Sequence, residues 1–164
     1  MLKNIIQTSN KLLMSLCVLS LTILVFITVI DVFGRYLLGS PLPGATEITE
    51  IILGLLIYIG LPYICKNEGH VSVSLLSNYL NGLLLKVQRA LINLIASILL
   101  CIISVQLYRH GIDLNSYNEI TTYLEIPKAP IAFSMALLTM LASLTALFNS
   151  YEYLFNQKIL KNNA

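Results

Sequence analysis

The chain has 164 residues, of which 57% are hydrophobic and 11% charged, with a mean hydropathy of +0.80, whereas soluble domains carry about 25% charged residues. At about 20 apolar residues per membrane span, four spans consume about half the length, so a separate soluble domain is excluded and a single membrane domain over 1–164 is expected. Ten Lys/Arg and eight Asp/Glu are scattered singly for a net charge of +2, leaving no basic stripe to neutralise a phosphate backbone, so nucleic-acid binding is excluded.

The first charge-free run, Leu12–Ile30, extends to about residue 38. Lys3 and Lys11 precede it as in a secretory signal, but 12–38 is too long for a signal core and no small-residue cleavage site follows. It is therefore expected to stay as an anchor. Asp31 and Arg35, four residues apart near its end, share a helix face and can pair. An ionisable group in a span raises a functional hypothesis, so a structural ion pair and a charged contact with another subunit both stay open. Ser40-Pro41-Leu42-Pro43-Gly44 stops the helix and makes a tight turn. Span 2 covers about 45–65, with Thr46 as candidate N-cap and Glu47 and Glu50 complementing the helix dipole at its mouth. Opposite charges at adjoining helix ends suggest that Arg35 bridges to Glu47 or Glu50. Pro62 is expected to bend the far end of this span.

Gly69–Leu85 is also charge-free, but nearly half of it is Gly, His, Ser and Asn, too polar for a lipid-facing span. Val71, Leu75, Tyr79, Leu83 and Val87 recur every four residues with Ser74 and Asn78 opposite, which predicts an interfacial amphipathic helix over about 71–87. Span 3 is expected at about 89–108, ended by Gly111. Gly111–Ala129 is then the longest connection. Span 4 covers about 130–151, starting at Pro130. Its pairs Ala132 and Ala136, Thr139 and Ser143, and Ala142 and Ala146 permit close helix approach. With no Trp, Tyr36, Tyr63, Tyr108, Tyr151 and Tyr153 are the available interfacial anchors.

The expected fold is thus an all-α integral membrane protein with four transmembrane helices and an interfacial helix between spans 2 and 3. Lys and Arg are retained on the cytoplasmic side. Four spans with both termini cytoplasmic place Lys3, Lys11, Lys66, Lys86, Arg89, Lys158 and Lys161 inside against Arg35, Arg109 and Lys128 outside. Five spans would divide the same ten residues evenly. In this topology His70 and His110 lie on opposite sides of the membrane, which removes bis-histidine haem ligation. Cys17, Cys65 and Cys101 have no metal-site or disulfide spacing and are expected to be buried, inert thiols. No phosphate loop or nucleophile–base motif is present. No catalytic, cofactor-binding or metal-binding residue is expected, and the chain is not expected to be an enzyme. Nor do interrupted spans repeat as they do around carrier binding sites.

Asp31-Val32-Phe33-Gly34-Arg35-Tyr36, then Ser40-Pro41-Leu42-Pro43, Glu47, Glu50 and Gly60, then Lys66-Asn67-Glu68-Gly69-His70-Val71-Ser72-Val73, together resemble the small membrane subunit of tripartite ATP-independent periplasmic (TRAP) transporters, the DctQ type. Tyr123-Leu124-Glu125-Ile126-Pro127 before the last span also fits. The resemblance implies a bacterial inner-membrane subunit bound stably to a large multi-span subunit that holds the substrate and sodium sites. A periplasmic binding protein would deliver an organic acid, such as sialic acid or a C4-dicarboxylate, and this chain would serve as scaffold for an elevator-type partner. Asp31, Arg35, Glu47, Glu50, Lys66 and His70 are then candidates for structural ion pairs or a subunit interface. The alternatives are a self-sufficient four-helix dimeric carrier or exporter, and a cytochrome-like membrane anchor.

Overall fold

The structure, a computed structural model, describes residues 2–66 and 83–155. These form four helices: α1 (Leu2–Leu37), α2 (Ala45–Lys66), α3 (Leu83–Ser116) and α4 (Lys128–Phe155). All four are long and apolar enough to cross a membrane. Among the described residues the sole β-type pairing is an antiparallel bridge between Ile120 and Pro127. The expected interfacial helix and His70 lie outside the described residues, except that Leu83–Val87 form the first turn of α3.

Three helices outrun the expected spans. α3 has 34 residues, about 50 Å at 1.5 Å per residue, against a hydrocarbon core of about 30 Å. The stretch between Arg89 and Arg109 matches that core in length, and the helix continues beyond it on either side. Charge-free runs mark where the lipid tails are, whereas helix ends follow capping. Gly111 accordingly does not end α3; it lies inside the helix, where an added Cβ would sit 2.8 Å from the Phe133 ring. The helix stops at Asn118, whose φ of +50° places it in the left-handed region that Asn tolerates. Glu119 N donates to Leu114 O at 3.0 Å and Asn118 N to Asn115 O at 3.2 Å, the paired bonds of a Schellman terminus. The connection to α4 is therefore only residues 117–127.

The helices touch in the order α1–α2–α4–α3. This is an open row, not a closed four-helix bundle, and α4 is its centre. α3 buries a single stripe of Ala90, Asn93, Ser97, Leu100, Ser104, Gly111 and Leu114, with Leu107 half-buried. Steps of three and four residues define a left-handed antiparallel seam. Opposite it, α4 buries Ala132, Ala136, Thr139, Ser143, Ala146, Ser150 and Tyr153 at the same steps. Small side chains bring the backbones close enough for hydroxyls to reach across. Ser97 Oγ donates to Ser143 O at 3.0 Å and Ser143 Oγ returns to Ser97 O at 2.9 Å. Ser104 Oγ reaches Ala136 O and Ser150 Oγ reaches Ala90 O, each at 2.9 Å.

A second face of α4 packs on α2. Met135 covers Gly54, and Ala142 and Ala146 meet Leu61, Cys65 and Leu100 in the main core cluster. α1 lies outermost against α2, and none of its side chains over residues 12–37 is buried. Cys65 is buried as expected, but Cys101 is exposed because it falls one position off the α3 stripe, and Cys17 is intermediate. Tyr153 likewise departs from the expected belt role. It is buried in the α3–α4 seam, where its hydroxyl accepts from Arg89 Nη1 at 3.3 Å and the guanidinium stacks 5.8 Å above its ring.

Candidate functional site

The end of the row that carries the α1–α2 turn and the α3–α4 connection is called the hairpin end; the other is the terminal end. Four of the six candidate residues, Asp31, Arg35, Glu47 and Glu50, are at the hairpin end. Lys66 closes α2 at the terminal end.

Asp31 and Arg35 form an ion pair, Nη2 to Oδ2 at 2.9 Å. The second Asp31 oxygen accepts Leu42 N at 2.9 Å. Leu42 stands between two prolines that have no N–H, so its amide is the one main-chain donor in Pro41–Pro43. Asp31 therefore ties the returning chain to the helix it has just left. Gly39, at φ +63°, turns the chain back so that Ser40 N donates to Gly34 O. Between the last turns of α1 and this returning segment runs an apolar groove of about 600 Å³, lined by residues including Ile30, Phe33, Leu37, Pro41 and Leu42. Asp31→Ala should lower the melting temperature of the purified protein more than Asp31→Asn, because the amide keeps an acceptor for Leu42. Equal losses from both would assign the main contribution to the Arg35 pair.

Glu47 does not bridge to Arg35. Its carboxylate takes two successive amides of the α3–α4 connection: Tyr123 N to Oε1 at 2.8 Å and Leu124 N to Oε2 at 3.1 Å. Arg35 is instead engaged with Asp31, four residues away on the same helix, and Glu50 is exposed without a hydrogen bond or ion pair among the described residues. Nor does Thr46 cap α2. Ile48 N donates to Gly44 O, so Gly44 is the cap residue and Glu47 stands at the third helical position. A glutamate there often folds back to its own N-cap amide; here it reaches outward to a segment 76 residues away.

That segment is itself well tied. Thr121 N donates to Ile126 O, Lys128 N to Glu119 O, and Ile126 N to Thr121 Oγ1. Lys128 Nζ pairs with Glu119 at 3.2 Å. Glu125 adopts a left-handed φ of +52°. The Leu124 side chain lies on Gly44, where an added Cβ would be 2.8 Å from its Cγ. Residues 119–127 therefore form a strap lying from the α3–α4 pair onto the start of α2. Motif reading missed this contact partner of Glu47, since backbone amides have no residue-type signature.

At the terminal end Asn149 Nδ2 donates to Cys65 O at 2.8 Å and to Lys66 O at 3.3 Å. Asn149 thereby ties α4 to the last turn of α2. His110 is exposed in α3. Among the described residues no group of three His, Cys, Asp or Glu side chains could hold a metal ion.

The hydrogen bonds and ion pairs described above thus lie at helix ends or between helices, and serine and threonine hydroxyls elsewhere in the spans bond carbonyls of their own helix. The sequence profile that matches residues 24–155, more than half of the chain, is described as tripartite ATP-independent periplasmic transporters, DctQ component. No individual curated protein matches the chain. The matched region takes in the Asp31–Arg35 pair, the turn, Glu47, the strap and the α3–α4 seam. The chain belongs to the DctQ family, the small membrane component of tripartite ATP-independent periplasmic transporters.

Proposed function

We propose that this chain is the static scaffold subunit of a sodium-coupled importer for an organic acid. A large multi-span subunit binds substrate and sodium and moves in elevator fashion against it, and a periplasmic binding protein delivers the acid. The observation that carries the scaffold role is the disposition of polar side chains within the spans. Ser97, Ser104, Ser143 and Ser150 donate to backbone carbonyls of the facing helix. Thr22, Thr28, Thr139 and Thr145 donate to carbonyls of their own helix. Polar groups committed to packing are not available to coordinate a substrate near the midplane, where carriers hold it.

The Lys/Arg count supports placing the hairpin end on the periplasmic side of the inner membrane, with both termini in the cytoplasm. The strap and the Pro-rich turn then face the side from which the binding protein arrives. Which acid is carried, with sialic acid and C4-dicarboxylates as the leading classes, is assigned to the large subunit and the binding protein.

Reconstitution tests the scaffold role. Vesicles containing this chain alone should show no sodium-dependent uptake of either acid class, and uptake should appear when the large subunit and loaded binding protein are added. In detergent, a hydrophobic partner of many spans should co-purify with the chain. Sodium-driven uptake by the chain alone would establish the self-sufficient carrier instead.

A further inference from the structure

The two hairpins, α1–α2 and α3–α4, meet along the α2–α4 contact, and the hydrogen bonds between them sit at its two ends. At the terminal end Asn149 takes the Cys65 and Lys66 carbonyls. At the hairpin end Glu47 takes the Tyr123 and Leu124 amides. Between these ends lies apolar packing such as Met135 on Gly54 and Ala142 against Leu61 and Cys65.

The geometry points to Glu47 as a positioning residue whose carboxylate joins the two hairpins into one body at the hairpin end, with Asn149 as the hinge at the other. The strap has little freedom of its own. It is bounded by the Schellman terminus at Asn118, bridged at Ile120 and Pro127, and bonded internally at Thr121. Any relative motion of the hairpins at this end must therefore pass through the Glu47 contact and the seat of Leu124 on Gly44.

The chemistry of the joint is specific. Two successive N–H groups need an acceptor with two oxygens and no donor of its own, which a carboxylate is. Glutamine keeps one oxygen but turns an NH₂ toward the second amide. Aspartate is one methylene too short to span the same gap from α2. The joint is thus expected to grade as Glu, then Gln, then Ala. It rests on the observed contacts and not on the scaffold role, so failure of transport and failure of the joint are separately visible.

The test uses the full chain in lipid nanodiscs. Amide hydrogen exchange at Tyr123 and Leu124 should be slow in the native protein and accelerate by about tenfold in Glu47→Ala, the loss of a hydrogen bond of ordinary strength, while amides of Ser97 and Ser143 stay protected. Spin labels at Glu50 and Arg109 should give a broadened distance distribution in Glu47→Ala, with labels at Ile64 and Tyr151 unchanged. Should Glu47→Ala fail to accumulate, Glu47→Gln serves, with a smaller broadening of the same pair. Rapid exchange at both amides in the native protein would overturn the proposal. So would an unchanged Glu50–Arg109 distribution in the variant, or equal broadening of both label pairs.

Discussion

Leucine in place of Ala142 is expected to prevent stable assembly of the helix row. Ala142 is 0% exposed and lies in the core cluster where α2, α3 and α4 meet beside Cys65, Leu100 and Ala146. The three added carbons are directed at Cys65, Leu100 and Ala146, so α2 or α3 must move outward. Overpacking of this kind costs about 1–3 kcal/mol in a well-packed core. In a membrane it is not offset by burial of apolar surface, because lipid is as apolar as leucine. The variant should elute broadly from a sizing column and melt well below the native protein. Ser143→Ala gives the contrast. It removes a hydroxyl that meets both O and Oγ of Ser97, interhelical bonds worth about 0.6 kcal/mol each on average, but keeps a small side chain, so its melting temperature should fall only slightly. A larger loss from Ser143→Ala than from Ala142→Leu would mean that hydrogen bonding, not close approach, holds the row. Leu141→Ala, at an exposed position on the same helix, should be nearly silent.

Gly44→Ala should be the most damaging single-methyl change at the hairpin end. Two independent costs coincide there. The residue has φ +77°, where any Cβ is strained by about 1–2 kcal/mol. That Cβ would also lie 2.8 Å from Cγ of Leu124, so the Leu124 side chain must leave its present rotamer to make room. Gly39 separates the two costs. Its φ is +63°, but a Cβ there meets nothing within 4 Å, so Gly39→Ala should show the strain alone. Combining Gly44→Ala with Leu124→Ala should recover the steric part and leave the strain, giving a double variant more stable than the sum of the single effects predicts. Melting temperatures of the four proteins decide this, and strict additivity would remove Leu124 from the account.

How much of this was legible in the residues differs from place to place, for physical reasons. The four helices announce themselves because lipid demands long apolar runs. The Asp31–Arg35 pair follows from i, i+4 spacing. On α4 the small residues stand out against larger neighbours and point to a seam. The matching stripe on α3, with Ala90, Ser97, Ser104 and Gly111 every seven residues, was equally present but harder to see. In a helix apolar on every side, only side-chain size distinguishes the packed face from the lipid face. Gly111 looked like a helix stop for that reason, although its small size serves the Phe133 ring. Glu47 illustrates a different limit. Its partners are amides that every residue but proline owns, 76 and 77 positions away, and charge complementarity drew attention to Arg35 instead.

The position of α4 has a consequence for how the chain is made. It is translated after the other three helices, yet it is the helix that contacts both α2 and α3, which pack on it from either side. Until it enters the bilayer, α1 and α2 can pack on each other, but α3 lacks the helix that joins it to them. Membrane insertion and completion of the row are therefore separated in time, with the α1–α2 hairpin and α3 waiting in lipid for the helix that joins them. A ribosome stalled before residue 128 would leave an inserted but incompletely assembled protein, an open substrate for membrane quality control.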